Sequence, residues 1–199
     1  GSIIERSILT YSPAGLLTTY NLCQQITVMI GAAIESSILN PYFIDASYQF
    51  KNALQDKHHQ NLLSHILKLL FGLTCLFIIA RSSLQLVLFY FQKSGIIQTS
   101  VYSDFLLIFT CLAGAFIFGS LGQLMNFAFY SIHRAKEQSI IMAISYAVFT
   151  LSKILSFFRW GAVGLSIATS FHFMADFVIL YYTYKKYSEL NTVQKNMER

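Results

Sequence analysis

Three groups of polar residues stand inside apolar stretches of this chain, where an amide or ionisable side chain is costly and tends to have a task. The first is Asn21, Gln24, Gln25 and Glu35, in the segment after Pro13. Thr18, Asn21, Gln25 and Glu35 recur at spacings compatible with one helix face, which would meet other helices or a wet cavity rather than lipid. Two readings stand side by side for the set: lining of a substrate path, or interhelical hydrogen bonds worth roughly 0.6 kcal/mol each. Glu35, near one end of the segment, is also open to a solvated reading. The second group is Lys153 alone, several residues inside an apolar run. It could contact an anionic headgroup or a pyrophosphate, or snorkel to the interface beside Arg159. The third is His172 and Asp176, four residues apart and so on one face of a helix. Such a pair can relay a proton or supply half of a cation site. The plainer reading is a polar pair packed on a neighbouring helix. One His and one Asp fall short of the three or more ligands usual for a metal, so neither metal nor cofactor is expected. His58-His59 lies in a polar stretch and reads as solvated.

No G-x-x-x-x-G-K-[ST], G-x-S-x-G, H-E-x-x-H or G-x-G-x-x-G occurs. Neither nucleotide hydrolysis nor hydrolytic catalysis is indicated; no catalytic residue is assigned and the chain is not expected to be an enzyme. Composition narrows the class further. Of 199 residues, 55% are hydrophobic and only 12% charged, against roughly 25% charged in a typical soluble domain. This excludes a disordered chain, a coiled coil and a nucleic-acid-binding tail, and leaves a polytopic membrane protein. Cys23, Cys75 and Cys111 are odd in number and widely spaced, which is neither a disulfide framework nor a zinc motif.

The elements that must position these side chains are membrane helices, each needing about 20 mostly apolar residues. The first span is expected over about residues 14–39, ended by Asn40-Pro41. Residues 42–61 are a polar connection. The second span covers about 62–80 and closes at Arg81. The apolar run 84–91 is too short to cross and reads as interfacial or re-entrant, broken by Gln92-Lys93-Ser94-Gly95. The third span, about 105–130, carries Ala115, Gly119 and Gly122, small residues that let backbones approach. A charged turn at 133–137 leads to a fourth span at about 139–158, and Arg159-Trp160-Gly161 turns the chain into a fifth at about 162–182. The expected fold is all-α: a transmembrane bundle over residues 1–187 with about five full spans plus the end of an earlier helix, then a polar tail or linker at 188–199. Lys51, Lys57, Arg134, Lys136, Lys185 and Lys186 fall on the side shared by loop 42–61, turn 131–138 and the tail, which makes that side cytoplasmic. The chain then starts outside, without a signal peptide or an initiator Met, and reads as a piece of a longer protein.

The order of features resembles the MviN/MurJ-like branch of the multidrug/oligosaccharidyl-lipid/polysaccharide flippase superfamily. Gly15-Leu-Leu-Thr-Thr-Tyr-Asn-Leu-Cys-Gln-Gln-Ile26, then a small-residue run and Ser-Ile-Leu-Asn-Pro41, is similar to that family's eighth helix. Leu88-Phe-Tyr-Phe-Gln-Lys-Ser-Gly95 is similar to its segment after helix nine, with one extra residue. Ala128-Phe-Tyr-Ser-Ile-His-Arg-Ala-Lys136 and Gly161-Ala-Val-Gly-Leu-Ser-Ile-Ala168 resemble its helix 10–11 turn and the start of helix twelve. The resemblance covers nearly the whole chain, to about residue 187, and implies the end of helix seven to helix twelve of a fourteen-helix transporter. It implies a flippase of the cytoplasmic (inner) membrane, moving an undecaprenyl-pyrophosphate-type saccharide precursor for cell-wall or surface polysaccharide synthesis. The implied partners are that lipid-linked saccharide, membrane lipids and an N-terminal lobe of the same transporter, with no nucleic acid. Where the family's eighth helix places an Asp-Arg pair, this chain has Gln24-Gln25, which removes a charge-assisted contact to the pyrophosphate. Cargo and energy coupling therefore stay open, and two alternatives stand beside the flippase: a cation-coupled exporter of another cargo using His172, Asp176 and Glu35, or a non-transporting membrane scaffold.

Overall fold

A computed structural model describes residues 15–41, 44 and 55–197. Among them the chain is entirely helical in its regular structure, as expected from the composition. The expected end of an earlier helix in residues 1–12, and most of the connection 42–61, lie outside the described residues.

Helix α1 spans Leu16–Ile34 and widens into a π-helical turn at Glu35–Leu39, close to the first expected span. Its start is set by Gly15, whose φ of 94° is open to glycine alone without strain, and by Thr19, whose amide and hydroxyl both donate to the Gly15 carbonyl.

Helix α2 spans Gln55–Lys93 without a break. This corrects the expected closure at Arg81 and the separate short run at 84–91. No Pro or Gly lies between Gly72 and Gly95 to stop the helix. The Arg81 charge, the reason for expecting an end, is met by neighbouring polar side chains while the helix continues. Its Nε donates to Thr110 Oγ1 at 2.9 Å and its Nη1 to Gln85 Oε1 at 3.3 Å. The helix stops at the expected glycine. Gly95, at φ 73°, donates to the Gln92 carbonyl while Ile96 donates to that of Phe91, the double bond of a left-handed C-cap.

Helices α3 (Thr99–Cys111) and α4 (Ala113–Ser131) form one path with a break at Leu112. The break has an identifiable cause. Ser170 Oγ donates to the Cys111 carbonyl at 2.5 Å and accepts from the Ala115 amide at 3.0 Å. Those two backbone groups would pair with each other in an uninterrupted helix, and an inserted side chain is one of the few devices that bends a helix. Gly114 makes room for it: a Cβ there would lie 2.8 Å from Ser170 Cβ.

Helix α5 runs over Ala135–Met197 and is folded in two at Gly161, whose φ of 62° and ψ of −146° are not helical. Residues 135–160 form a first arm and 162–197 a second. The arms run antiparallel, since Ser145 reaches Asp176 and Phe149 stacks on His172. Gly164 packs directly on the first arm's backbone, where a Cβ would lie 2.3 Å from the Ser156 carbonyl oxygen. The polar stretch expected as a tail continues the second arm's helix as far as Met197.

Among the described residues, three helical segments are long and apolar enough to cross a membrane: Ile66–Lys93, Thr99–Tyr130 and Ala135–Tyr187. The expected five spans are not established as a count. The fourth and fifth are the two arms of α5, and α1 is too polar to stand beside the three. At 1.5 Å per residue, the 28 residues of Ile66–Lys93 measure about 42 Å, more than the hydrocarbon core of a bilayer.

The core is centred on α3–α4. Phe77 of α2 stacks on Phe109 at 5.2 Å and leans on Phe116 at 5.9 Å. On the other flank Phe118 meets Phe177 and Phe129 meets Tyr184. Helix α1 packs through the buried Tyr20 and Cys23, the thiol donating to the Phe105 carbonyl. The outer stripe of the first arm, Ile144, Val148, Leu151, Leu155 and Phe158, is exposed and apolar, as a lipid-facing surface is.

Candidate functional site: a polar cavity in the helix bundle

A cavity of about 640 Å³ opens between α1, the α3–α4 path and the folded α5. Its walls are mostly apolar, with Val28, Leu112, Phe116 and Phe173 among them. Polar side chains enter from every element: Gln24, Thr27 and Glu35 from α1, Ser120 and Gln123 from α4, Lys153 from the first arm, and Thr169, His172 and Asp176 from the second. The size and the mix of apolar wall and few convergent polar groups are those of a ligand site.

The structure brings together Gln24, Glu35, Lys153, His172 and Asp176 on this cavity. It does not bring the other two candidates there. Gln25 is exposed, turned away from the wall that Gln24 joins. Asn21 is half-buried off the cavity lining, with a buried Oδ1 that meets no hydrogen-bond donor among the described residues.

Lys153 is 6% exposed. A snorkelling lysine would carry its ammonium into water; this one is held within the bundle. It sits on the same face of the first arm as Ser145 and Phe149, each four residues from the next, opposite the exposed apolar stripe. Lys153 lines the cavity, and its ammonium is a compact charge with three donor positions.

His172 and Asp176 form the expected pair, with Nε2 at 3.1 Å from Oδ2, and both are buried. The other carboxylate oxygen, Oδ1, accepts from Ser145 of the first arm. The imidazole lies against Phe149 at 4.9 Å and Phe173 at 5.7 Å between ring centroids. Both imidazole nitrogens are buried and have no hydrogen-bond partner among the described residues, so the contact with Asp176 is one of ion-pair distance and not an aligned hydrogen bond. Ser, His and Asp are the residue types of a hydrolytic triad, but the order here is different. Asp176 stands between the other two, and Ser145 donates to the carboxylate rather than to the imidazole, so no base faces the hydroxyl.

Gln123 is oriented by a relay. Gln138 of the first arm donates to Asn126 Oδ1 at 2.8 Å, and Asn126 Nδ2 donates to Gln123 Oε1 at 3.2 Å. On α1 the cavity wall reaches the π-helical turn at Glu35, a local widening often found at functional positions. No group of three or more His, Cys, Asp or Glu side chains able to hold a metal occurs among the described residues.

Sequence reasoning missed Ser145, Thr169, Gln123 and Ser170. Serine and threonine hydroxyls in membrane helices commonly bond back to the carbonyl four residues earlier, as Thr27, Thr74 and Thr150 do here. Nothing local sets Ser145 and Ser170, which cross to another element, apart from these.

A family profile described as Lipid II flippase MurJ matches residues 2–197. No curated protein and no solved structure matches the chain.

Proposed function

The chain belongs to the MurJ lipid II flippase family, a family of multi-pass membrane transporters, and from that premise we propose that its cavity is part of the path of a lipid-linked saccharide. The cargo is an undecaprenyl-pyrophosphate-type precursor, lipid II or another undecaprenyl-linked saccharide, carried across the cytoplasmic membrane for cell-wall or surface polysaccharide synthesis. The protein works as a transporter and not as an enzyme, together with an N-terminal lobe of the same transporter and with its C-terminal end in the cytoplasm.

The observation that supports this reading is a buried lysine on the wall of a mostly apolar cavity that also presents amides, hydroxyls, Glu35 and the His172–Asp176 pair. Such a cavity suits an amphiphile. Lys153 compensates phosphate charge without depending on bidentate geometry. Gln24, Gln123 and Thr169 offer donors and acceptors to a sugar, whose hydroxyls are both. The walls leave room for the first units of a prenyl chain. Gln24 takes on α1 the place where a charged pair stands in the relatives that the chain resembles, and Lys153 supplies positive charge from a different helix.

The test is translocation. The full-length gene product is placed in proteoliposomes with a fluorescent prenyl-pyrophosphate disaccharide, and the fraction reached by an impermeant quencher is followed in time. Lys153→Met is expected to slow translocation at least tenfold while the protein still inserts and folds. Equal rates for wild type and Lys153→Met would overturn the role given to the cavity. Gradient-driven export of organic cations with no lipid movement would favour the cation-coupled exporter.

A further inference from the structure

We propose that His172, Asp176 and Ser145 form a proton-binding site, and that loading of an anionic cargo is accompanied by uptake of one proton there. This deepens the reading above and rests on it for the cargo.

The geometry is that of a site that can hold two charge states. Asp176 is flanked from both arms, bonded by Ser145 of the first and within ion-pair reach of His172 on its own. Nε2 is 3.1 Å from Oδ2, within ion-pair reach but out of line for a hydrogen bond, so a neutral imidazole keeps one bare lone pair and neither of its nitrogens has a hydrogen-bond partner among the described residues. That lone pair is buried and has no donor among the described residues. An unsatisfied buried acceptor costs about 1–3 kcal/mol. A proton added to the neutral imidazole uses that lone pair, breaks no hydrogen bond in the protein and turns the pair from a net negative charge into a neutral imidazolium–carboxylate. Phe149 and Phe173 lie along the ring, as aromatic faces do around a cation.

The remaining titratable groups on the cavity wall decide what that proton does. They are Glu35 from α1 and Tyr146 and Lys153 from the first arm; the α3–α4 path contributes Leu112, Ala115, Phe116, Gly119, Ser120 and Gln123, none of which titrates. With the carboxylates ionised and Lys153 protonated, the wall carries one net negative charge while the imidazole is neutral. It carries none once His172 is protonated. A phosphate-bearing cargo meets repulsion in the first state and not in the second, so binding and protonation favour one another, by the same factor in both directions. Both imidazole nitrogens are closed off in the observed conformation. The proton therefore enters or leaves only when the bundle rearranges, which is the condition for coupling it to movement.

The probe is a farnesyl-pyrophosphate-linked N-acetylglucosamine, a pyrophosphate diester with no proton of its own to exchange in the histidine range. Full-length protein labelled with nitrogen-15 histidine is titrated from about pH 5 to 8, and the His172 resonance is assigned by its loss in His172→Gln. Calorimetry of probe binding in two buffers of different ionisation enthalpy then counts protons. The expected results are a His172 resonance that changes protonation state within the range, uptake of one proton on binding, and affinity that falls about tenfold per pH unit on the alkaline side. His172→Gln should bind the probe with no pH dependence, and Lys153→Met should bind it weakly at every pH while keeping the proton uptake. A His172 resonance fixed in one state, or binding with no proton taken up, overturns the proton site and leaves the cargo reading standing. A titrating His172 with no binding at any pH overturns the cargo reading and with it the coupling.

Discussion

Replacing Gly114 by alanine should destabilise the protein for one nameable reason, and a second substitution should remove that reason. The added Cβ would lie 2.8 Å from Ser170 Cβ and 3.2 Å from Ser170 Oγ. The nearer atom is anchored one bond from the backbone and cannot swing aside as the end of a long side chain can. Overpacking of this kind costs about 1–3 kcal/mol, and the better helix propensity of alanine returns at most about 1 kcal/mol. Gly114→Ala alone should therefore cost about 1–2 kcal/mol. In a Ser170→Gly background both offending atoms are gone and the next contact, Ser170 Cα at 3.5 Å, is ordinary. There Gly114→Ala should be neutral or stabilising by up to about 1 kcal/mol. The loss of the bridging hydroxyl in Ser170→Gly is common to both legs of the cycle and cancels. The coupling energy is then about 2 kcal/mol, well outside the roughly 0.3–0.5 kcal/mol within which independent sites add. Unfolding of the four proteins by sodium dodecyl sulfate in bicelles measures it. A Gly114→Ala cost that is the same in both backgrounds would refute the close approach of α4 to the second arm.

Gly161→Ala and Gly164→Ala both strike the fold between the arms: the first forces a positive φ of 62° on an L residue, the second drives a Cβ to 2.3 Å from the Ser156 carbonyl oxygen. Each should cost about 1–3 kcal/mol or more, read as a lower unfolding midpoint and as new protease cleavage near Trp160. His133 holds φ 58° at the C-cap of α4, where its amide donates to the Tyr130 carbonyl. His133→Gly should stabilise by up to about 1 kcal/mol in the same unfolding assay. Arg81→Met removes the bond to Thr110 from a side chain that is not enclosed, and should cost no more than about 1 kcal/mol without shortening α2, which circular dichroism of the variant checks.

What was legible in the sequence follows from what is local. The turn at Gly161 announces itself, because Arg159-Trp160-Gly161 interrupts an apolar run with a charge, an interfacial aromatic and a residue free to take positive φ. The His172–Asp176 pair is equally local, four residues apart on one helix. Arg81 shows the opposite case: its charge suggests an interface, but its partner Thr110 comes from a helix 29 residues further on. Lys153 has the same ambiguity, and burial by the bundle decides it. Gln24 and Gln25 are indistinguishable by type, and one residue of helical rotation puts the first on the cavity wall and leaves the second exposed. Ser170 acts on the Cys111 carbonyl, 59 residues earlier, so its part in bending the α3–α4 path was beyond any reading of neighbours.

The most direct measurement is photo-crosslinking of a radiolabelled prenyl-pyrophosphate saccharide from single positions in membranes. A photoreactive residue at Gln24 or Gln123 faces the cavity, whereas one at Gln25 or Val148 is exposed off it. Labelling at Gln24 and Gln123, competed by unlabelled saccharide lipid and absent at Gln25 and Val148, is the expected result. Equal labelling at all four positions, or labelling confined to Gln25 and Val148, would mean that the cavity is not the path.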